Sequence, residues 1–455
     1  MSLSRRCAMR TAAFAGLLAG TIVGSAASAE QVVRFLHNET DPPSIAFFNE
    51  AIKEFQAANP DIRIEMEAVS TDGRLQKVTA SMNARTMPEL FKVLPEERFN
   101  FGRRGFLVPL DDVAKSIGID DFLPGSVVEV DGTIYDLPYT LGNFSTLWYR
   151  SDLLEAKGIE PPKDWPAFLA AAKALTQDTN GDGNPDIFGT VFPAGKNRMT
   201  SLYYSALLWS AGGTYFDKDL NVSFDSPAAV EALQFMKDLA PYAPPGIASY
   251  SYADMSNTFL TGKVAMDIYA GRVIAQMGDN TPDLIAKTRG APQPAGPSGV
   301  GVGFVATNTF AIASERVGAK NTEAAKKFLE FILTGDRAAR FALTAFPHLI
   351  PPLRSVQADP MIAAGRPELK GREDLVAANF DTSNSLDFET EAGAVIKDGQ
   401  VVRSGVVNPL IGSIVARDIP ALVVQRAVLQ GEDAAEAVKW GAAEMQKIVA
   451  DLKKD

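Results

Sequence analysis

Apolar and polar positions along this chain alternate between two periods. Val32 to Leu36 is a short apolar run broken only by Arg34, which predicts a buried strand. Pro42-Pro43-Ser44 supplies a stop and a helix cap. Ile45, Phe48, Ile52 and Phe55 then recur at spacings of three and four, giving one apolar helix face that Asn59-Pro60 ends. Ile62, Ile64 and Met66 alternate with Arg63, Glu65 and Glu67, the period-two pattern of a second strand. A strand, a helix and a strand in this order make a right-handed crossover with the two strands parallel. The alternation continues downstream. Ser226-Pro227 caps a helix through Leu239, Ala325, Phe328, Leu329 and Ile332 form a face that stops at Gly335, and Val438, Gly441, Met445, Ile448 and Leu452 run down the last helix. Between them, Val264 to Ile268 and Phe310 to Ala313 read as strands. The class is α/β with mostly parallel sheets flanked by helices, in which ligands bind beyond the carboxyl ends of strands.

The first 29 residues break the pattern. Arg5, Arg6 and Arg10 precede an Ala/Gly/Leu-rich stretch from Thr11 to Ala26 and the small triplet Ala27-Ser28-Ala29, the order of an export signal with cleavage expected after Ala29. Arg5-Arg6 with Met9 and Arg10 resembles a twin-arginine signal, although Ala8 stands where phenylalanine is usual, so both export routes stay open. The sole cysteine, Cys7, lies ahead of the apolar stretch, where it cannot serve as a lipid anchor. A mature chain without thiols has no disulfides, cysteine nucleophile or zinc–cysteine site. Losing the three arginines moves the net charge from -11 to -14, which argues against nucleic acid and anionic membranes as partners. The remaining 426 residues exceed what one core supports, so two domains are expected. The most loop-like stretch, Gly290 to Gly303, reads as a surface loop leading to a crossing between them.

Several segments, in order, carry a family resemblance. Phe48-Asn49-Glu50-Ala51-Ile52-Lys53-Glu54-Phe55 leads to Asn59-Pro60-Asp61-Ile62, and Gly105-Phe106-Leu107-Val108-Pro109-Leu110-Asp111-Asp112 follows. Asp131-Gly132-Thr133-Ile134-Tyr135-Asp136-Leu137-Pro138 precedes Leu147-Trp148-Tyr149-Arg150-Ser151-Asp152-Leu153-Leu154 and Pro161-Pro162-Lys163-Asp164-Trp165. Gly262-Lys263-Val264-Ala265-Met266 and Leu429-Gln430-Gly431-Glu432-Asp433-Ala434 close the series. Together these resemble the maltose-binding-type solute-binding proteins of ABC importers. The resemblance implies a two-lobed periplasmic-binding-protein fold of type II, with residues 30–140 and 307–350 in lobe one and 141–306 and 351–455 in lobe two. It further implies a periplasmic monomer without cofactor that carries a sugar or sugar derivative to membrane permease subunits. Closure works only if the solute contacts both lobes.

A sugar clamp needs aromatic faces and planar polar groups. Candidate contacts are His37 and Asn38 past the first strand, Glu97 and Arg98 after the apolar run Leu90 to Leu94, Asn143 in the first crossing, and Tyr203 or Tyr204 before Gly212-Gly213. The segment Tyr269-Ala270-Gly271-Arg272 resembles a cleft loop of the family, with Arg272 near the place of a common tryptophan. Because a guanidinium fork suits carboxylate or phosphate, an acidic sugar, or a glycerol-phosphate ester on the same fold, enters as an alternative. Asn308 begins the second crossing, and Asn408 lies in a late segment without aromatics. Bland readings stand beside each: a solvated helix start for Glu97, core packing for the tyrosines, a surface ion pair for Arg272.

Asp178, Asn180, Asp182, Asn184 and Asp186 place oxygens at alternate positions like the start of a calcium loop, but Gly189 stands where the bidentate Glu should be. A loop built on Asx turns is the other reading. An exported carbohydrate-active enzyme is the rival function. Neither H-E-x-x-H nor G-x-S-x-G occurs, and two histidines leave little for histidine chemistry, so a non-enzyme is expected.

Overall fold

The strand Gln31–His37 pairs in parallel with Ile62–Ala68 along its whole length, and with Leu90–Val93 on its other side. These relations come from a computed structural model that describes residues 30–453 except 124, 398, 399 and 404; the expected export signal lies outside the described residues. The intervening helix, Pro42–Ala58, starts earlier than a cap at Ser44 would place it. Asp41 is the N-cap, and the two prolines fill the first turn, where the missing N–H has no intrahelical partner to lose. Ser44, Phe47, Phe48, Ala51 and Phe55 face inward, so Phe47 takes the position expected of Ile45, which is half-buried. Phe35 meets Phe48, Phe310 and Phe328 edge-on, with ring centroids 5.2–5.7 Å apart. Burial of each such ring contributes about 1.5–3 kcal/mol.

The first sheet runs in the order Leu349–Ile350, Asp136–Asn143, Gly303–Ile312, Leu90–Val93, Gln31–His37, Ile62–Ala68, with Ser385–Leu386 added beside Gly303–Phe304. The second runs Thr288–Ala291, Thr146–Arg150, Val264–Tyr269, Phe188–Val191. Both are mixed, which corrects the expectation of mostly parallel sheets. In the second only Phe188–Val191 and Val264–Tyr269 are parallel. In the first, Gly303–Ile312 runs against both its main neighbours. The reason is the path of the chain: Asp136–Asn143 leaves the first half, Gly303–Ile312 returns to it, and the two pair side by side.

The expected helices appear as Pro227–Leu239, with the Ser226 hydroxyl accepting the Ala229 N–H at 3.3 Å, Thr322–Leu333, and Ala434–Leu452. The second half packs on aromatics: Trp209 stacks on Phe304 at 5.6 Å, Phe304 meets Phe388 at 5.0 Å, and Trp165 stacks on Phe235 at 4.3 Å. Among the described residues no helix is long and apolar enough to cross a membrane.

Candidate functional site

The carboxyl ends of the central strands bring charged side chains of the two halves together. Glu39 follows the first strand and is 5% exposed. One of its oxygens accepts the Tyr139 hydroxyl at 2.7 Å and lies 3.7 Å from the Lys92 ammonium; the other accepts the Arg272 Nη2 at 2.8 Å. Arg272 begins the helix Arg272–Asn280 of the second half, and its Nη1 pairs with Asp41 of the first. Burial alone pushes Glu39 up, but Arg272, Lys92 and the Tyr139 hydroxyl outweigh it and hold the carboxyl down at about 2. Lys92 moves the opposite way from most paired lysines, to about 8. Burial and the guanidinium groups of Arg74 and Arg198 outweigh its long contact with Glu39.

A second charged bridge crosses nearby. Arg98, fully buried, donates from Nε to Asp136 at 3.0 Å and from Nη1 to Glu389 at 2.7 Å. Asp136 belongs to the first half and also accepts the Thr309 hydroxyl at 2.7 Å. Glu389 belongs to a segment fixed on the second half by Phe388 and by Glu391, which accepts the Tyr215 N–H at 2.8 Å. Burial, with Asp387 and Asp136 close by, pushes Glu389 well up, while its pairing keeps Arg98 charged.

Uncharged groups line the same region. His37 accepts the Glu39 N–H on Nδ1 at 3.2 Å, and burial drops it to about 4. His348, whose ring and the Asn308 amide both approach Gly142, is held well below its ordinary value by burial and by Arg272. His37 Nε2, His348 Nδ1, the hydroxyls of Tyr203 and Tyr252, and both oxygens of Asp267 are buried without a hydrogen-bond partner among the described residues. Burial pushes the Asp267 carboxyl well up from its ordinary value.

The other expected contacts separate. Asn38 is half-buried just past the first strand, beside His37, and Asn308 is half-buried at the bulge within Gly303–Ile312, near His348. Glu97 is a helix-start residue: it accepts the Leu94 N–H at 3.0 Å and pairs with Arg74 at 2.8 Å. Three of the expected contacts are engaged within the protein. Tyr204 points into the core and donates to the Ala229 carbonyl at 2.9 Å, being one helix position round from Tyr203. Tyr269 donates to the Tyr252 carbonyl at 2.6 Å and is likewise core. Asn143 is spent in the hinge, donating to the Asn379 and Asp381 carbonyls and accepting the Ser145 N–H. Gly271 permits close packing, since a Cβ there would lie 2.3 Å from the Asn379 side-chain oxygen. Asn408 accepts the Leu410 N–H, and its own N–H donates to the Glu389 carbonyl, so it braces the Arg98 bridge.

In the loop of Asp178, Asn180, Asp182, Asn184 and Asp186 the carboxylates turn inward. Asp178 accepts the N–H groups of Gly181 and Gly183, Asp182 that of Asn184, and Asp186 those of Thr179 and Asn180. No cluster of three or more metal-ligating side chains occurs among the described residues. These are the hydrogen bonds of the Asx-turn reading.

Sequence reasoning missed Glu39, Asp41, Lys92, Tyr252, Asp267, His348 and Glu389. Two of them carried a usable signal. Lys92 and Asp267 are single charged residues inside the otherwise apolar strands Leu90–Val93 and Val264–Tyr269, and burying a charge is costly without a purpose or a partner.

Two mixed α/β lobes meeting over a polar, buried seam define a class of clamp proteins that close on a small guest, and the comparisons agree. Residues 40–336 match the model of the bacterial extracellular solute-binding protein family, and the chain belongs to that family. A binding protein of Brucella abortus (strain 2308) is 33% identical over 339 residues, covering 72% of this chain and 78% of the relative. Among solved structures, maltose-bound MalE3 of T. maritima superposes with a TM-score of 0.75 at 23% identity, over 92% of this chain and 99% of that one. An ABC-transporter solute-binding protein from Agrobacterium vitis S4 with bound D-mannitol gives 0.73 at 21% identity, over 93% and 99%. These last two likenesses concern the fold.

Proposed function

We propose that this protein binds an uncharged, hydroxyl-rich small solute, a sugar or a polyol, between its lobes and hands it unchanged to an ABC-type importer. The observation that carries this reading is the division of labour in the seam. The charged groups Arg272, Glu39, Asp41, Lys92, Arg98, Asp136 and Glu389 are engaged with one another. The buried hydrogen-bonding atoms still lacking partners among the described residues include those of the uncharged His37, Tyr203, Tyr252 and His348 and of Asp267, whose carboxyl burial pushes up, beside single atoms of the paired Arg272, Arg98, Asp136 and Glu389. Each buried polar group left unpaired costs about 1–3 kcal/mol. A solute with many hydroxyls offers both donors and acceptors to such groups. An acidic sugar or a phosphate ester loses its expected anchor, because Arg272 already holds two carboxylates. The relatives with bound maltose and D-mannitol support the solute class.

In this reading residues 1–29 direct export and are removed after Ala29, and the protein works as a monomer in the periplasm. The lobes divide at the crossing strands, with residues 30–140 and 307–350 in the first. Titration calorimetry with maltose, D-mannitol and ribitol, beside D-gluconate and glycerol 3-phosphate, tests the function. At least one neutral solute should bind and be recovered intact. Saturation at a hundredfold excess over Kd should stabilise the fold by about 2.7 kcal/mol. Binding confined to the anionic solutes, or turnover of a bound one, would refute the proposal.

A further inference from the structure

We propose that Glu39, assisted by Asp41, sets the selectivity of the cleft: it supplies the protein's own carboxylate to the cleft cations and thereby shuts out acidic solutes. The assignment rests on reading the seam as the solute site. Glu39 sits where a ligand carboxylate would sit in an acid-binding clamp, between a cation of each lobe, Lys92 at 3.7 Å and Arg272 at 2.8 Å, with the Tyr139 hydroxyl at 2.7 Å as a third donor. Asp41 takes the remaining arm of the Arg272 fork. With both terminal nitrogens held by protein carboxylates, the end-on face of the Arg272 fork is closed to a solute.

The geometry works against acids twice. It occupies the cations, and it leaves two fixed carboxylates next to any position from which a solute anion could reach them. Specificity built by such repulsion discriminates without any added contact to the favoured ligand. Glu39 is ionised throughout the physiological range, since its partners hold it at about 2, so the barrier does not lapse in mildly acidic surroundings.

The experiment uses two matched pairs that differ only in a carboxylate: D-sorbitol with D-gluconate, and methyl α-D-glucoside with methyl α-D-glucuronide. Their dissociation constants are measured on the wild type, on Glu39→Gln, which keeps the shape and hydrogen-bonding reach of the side chain, and on Asp41→Asn, a milder change at a half-buried position, with melting curves to verify folding. The wild type should disfavour the acid of each pair at least tenfold. In Glu39→Gln affinity for at least one acid should rise tenfold or more, with a smaller rise of about threefold in Asp41→Asn. A wild type that prefers an acid, or folded variants in which neither acid gains affinity, overturns the assignment. Failure of the neutral solutes to bind the wild type would instead count against the proposed function, and an acid gain in Glu39→Gln would stand apart from that result.

Discussion

Replacing Arg98 by methionine strands two carboxylates in the interior, and the cost can be worked from their surroundings. Arg98 is fully buried and is hydrogen-bonded at 3.0 Å to Asp136 and at 2.7 Å to Glu389. In Arg98→Met each acid must either remain charged without its cation or take up a proton. Asp136 then keeps only the Thr309 hydroxyl at 2.7 Å and is left a buried carboxylate without its cation. Glu389 adds less, because burial has already pushed it up. The expected loss is about 3–5 kcal/mol, the range for breaking a buried pair from one side. Urea unfolding followed by circular dichroism at pH 7 and pH 5 measures it. Since the native variant binds protons that the native wild type does not, the loss should shrink by roughly 1.4 kcal/mol per pH unit for each acid that titrates. Adding Asp136→Asn and Glu389→Gln to Arg98→Met should recover most of the stability, because uncharged groups replace the stranded charges. A loss under about 1 kcal/mol at pH 7, or one independent of pH, would refute the reasoning.

Four further outcomes follow from the same geometry. Burial pushes Glu391 up to about 8 against an ordinary 4.5, so between these values the folded chain keeps a proton that the unfolded chain has lost. Stability should therefore fall as pH rises, Glu391 contributing at most about 1.4 kcal/mol per unit beside the contributions of the same sign from Asp267 and Glu389. The fall is cleanest from pH 6.5 to 8, above the range in which His37, lowered from 6.5 to about 4, works in the opposite direction; Glu391→Gln should lessen it in thermal or urea unfolding. Tyr204→Phe should cost about 1 kcal/mol of stability through its lost bond to the Ala229 carbonyl and leave solute affinity unchanged. Tyr203→Phe should leave stability alone and weaken binding of a neutral solute about fivefold, near 1 kcal/mol. Gly271→Ala should destabilise by roughly 1–3 kcal/mol, because its Cβ would press on Asn379, whose amide already donates to the Pro347 carbonyl at 2.8 Å.

What could be read from the chain alone follows a physical line. Helices such as Thr322–Leu333 and Ala434–Leu452 were legible because one face is buried and the other wet, which leaves a period in the sequence. The helix Arg198–Ser210 left none: every residue from Thr200 to Ser210 is buried, so nothing in the pattern separates Tyr203, facing Asp267, from Tyr204, facing the core. Strand direction was also hidden, because period two is the same whether neighbours run together or apart. His37 was singled out from its place at the end of the first strand, and Arg98 and Arg272 from the family resemblance. Their partners were not, because Arg98 and Glu389 stand 291 positions apart, and Arg272 and Glu39 stand 233.

That separation also explains why Arg272 invited the expectation of an acidic solute. A sequence shows a charge without showing whether it is already matched, and the inference from an arginine in a cleft to an anionic guest holds only when the protein leaves the fork open. Here Glu39 and Asp41 close it from the opposite lobe. The same ion pairs that would have advertised an acid site instead bind lobe to lobe, and they leave recognition to neutral groups. On the proposed reading, closure is aided by charges that the solute does not touch, and affinity and selectivity then rest on different residues. A change at Arg98 or Glu389 should alter how tightly every solute is held by a common factor, and a change at Glu39 should alter which solute is held.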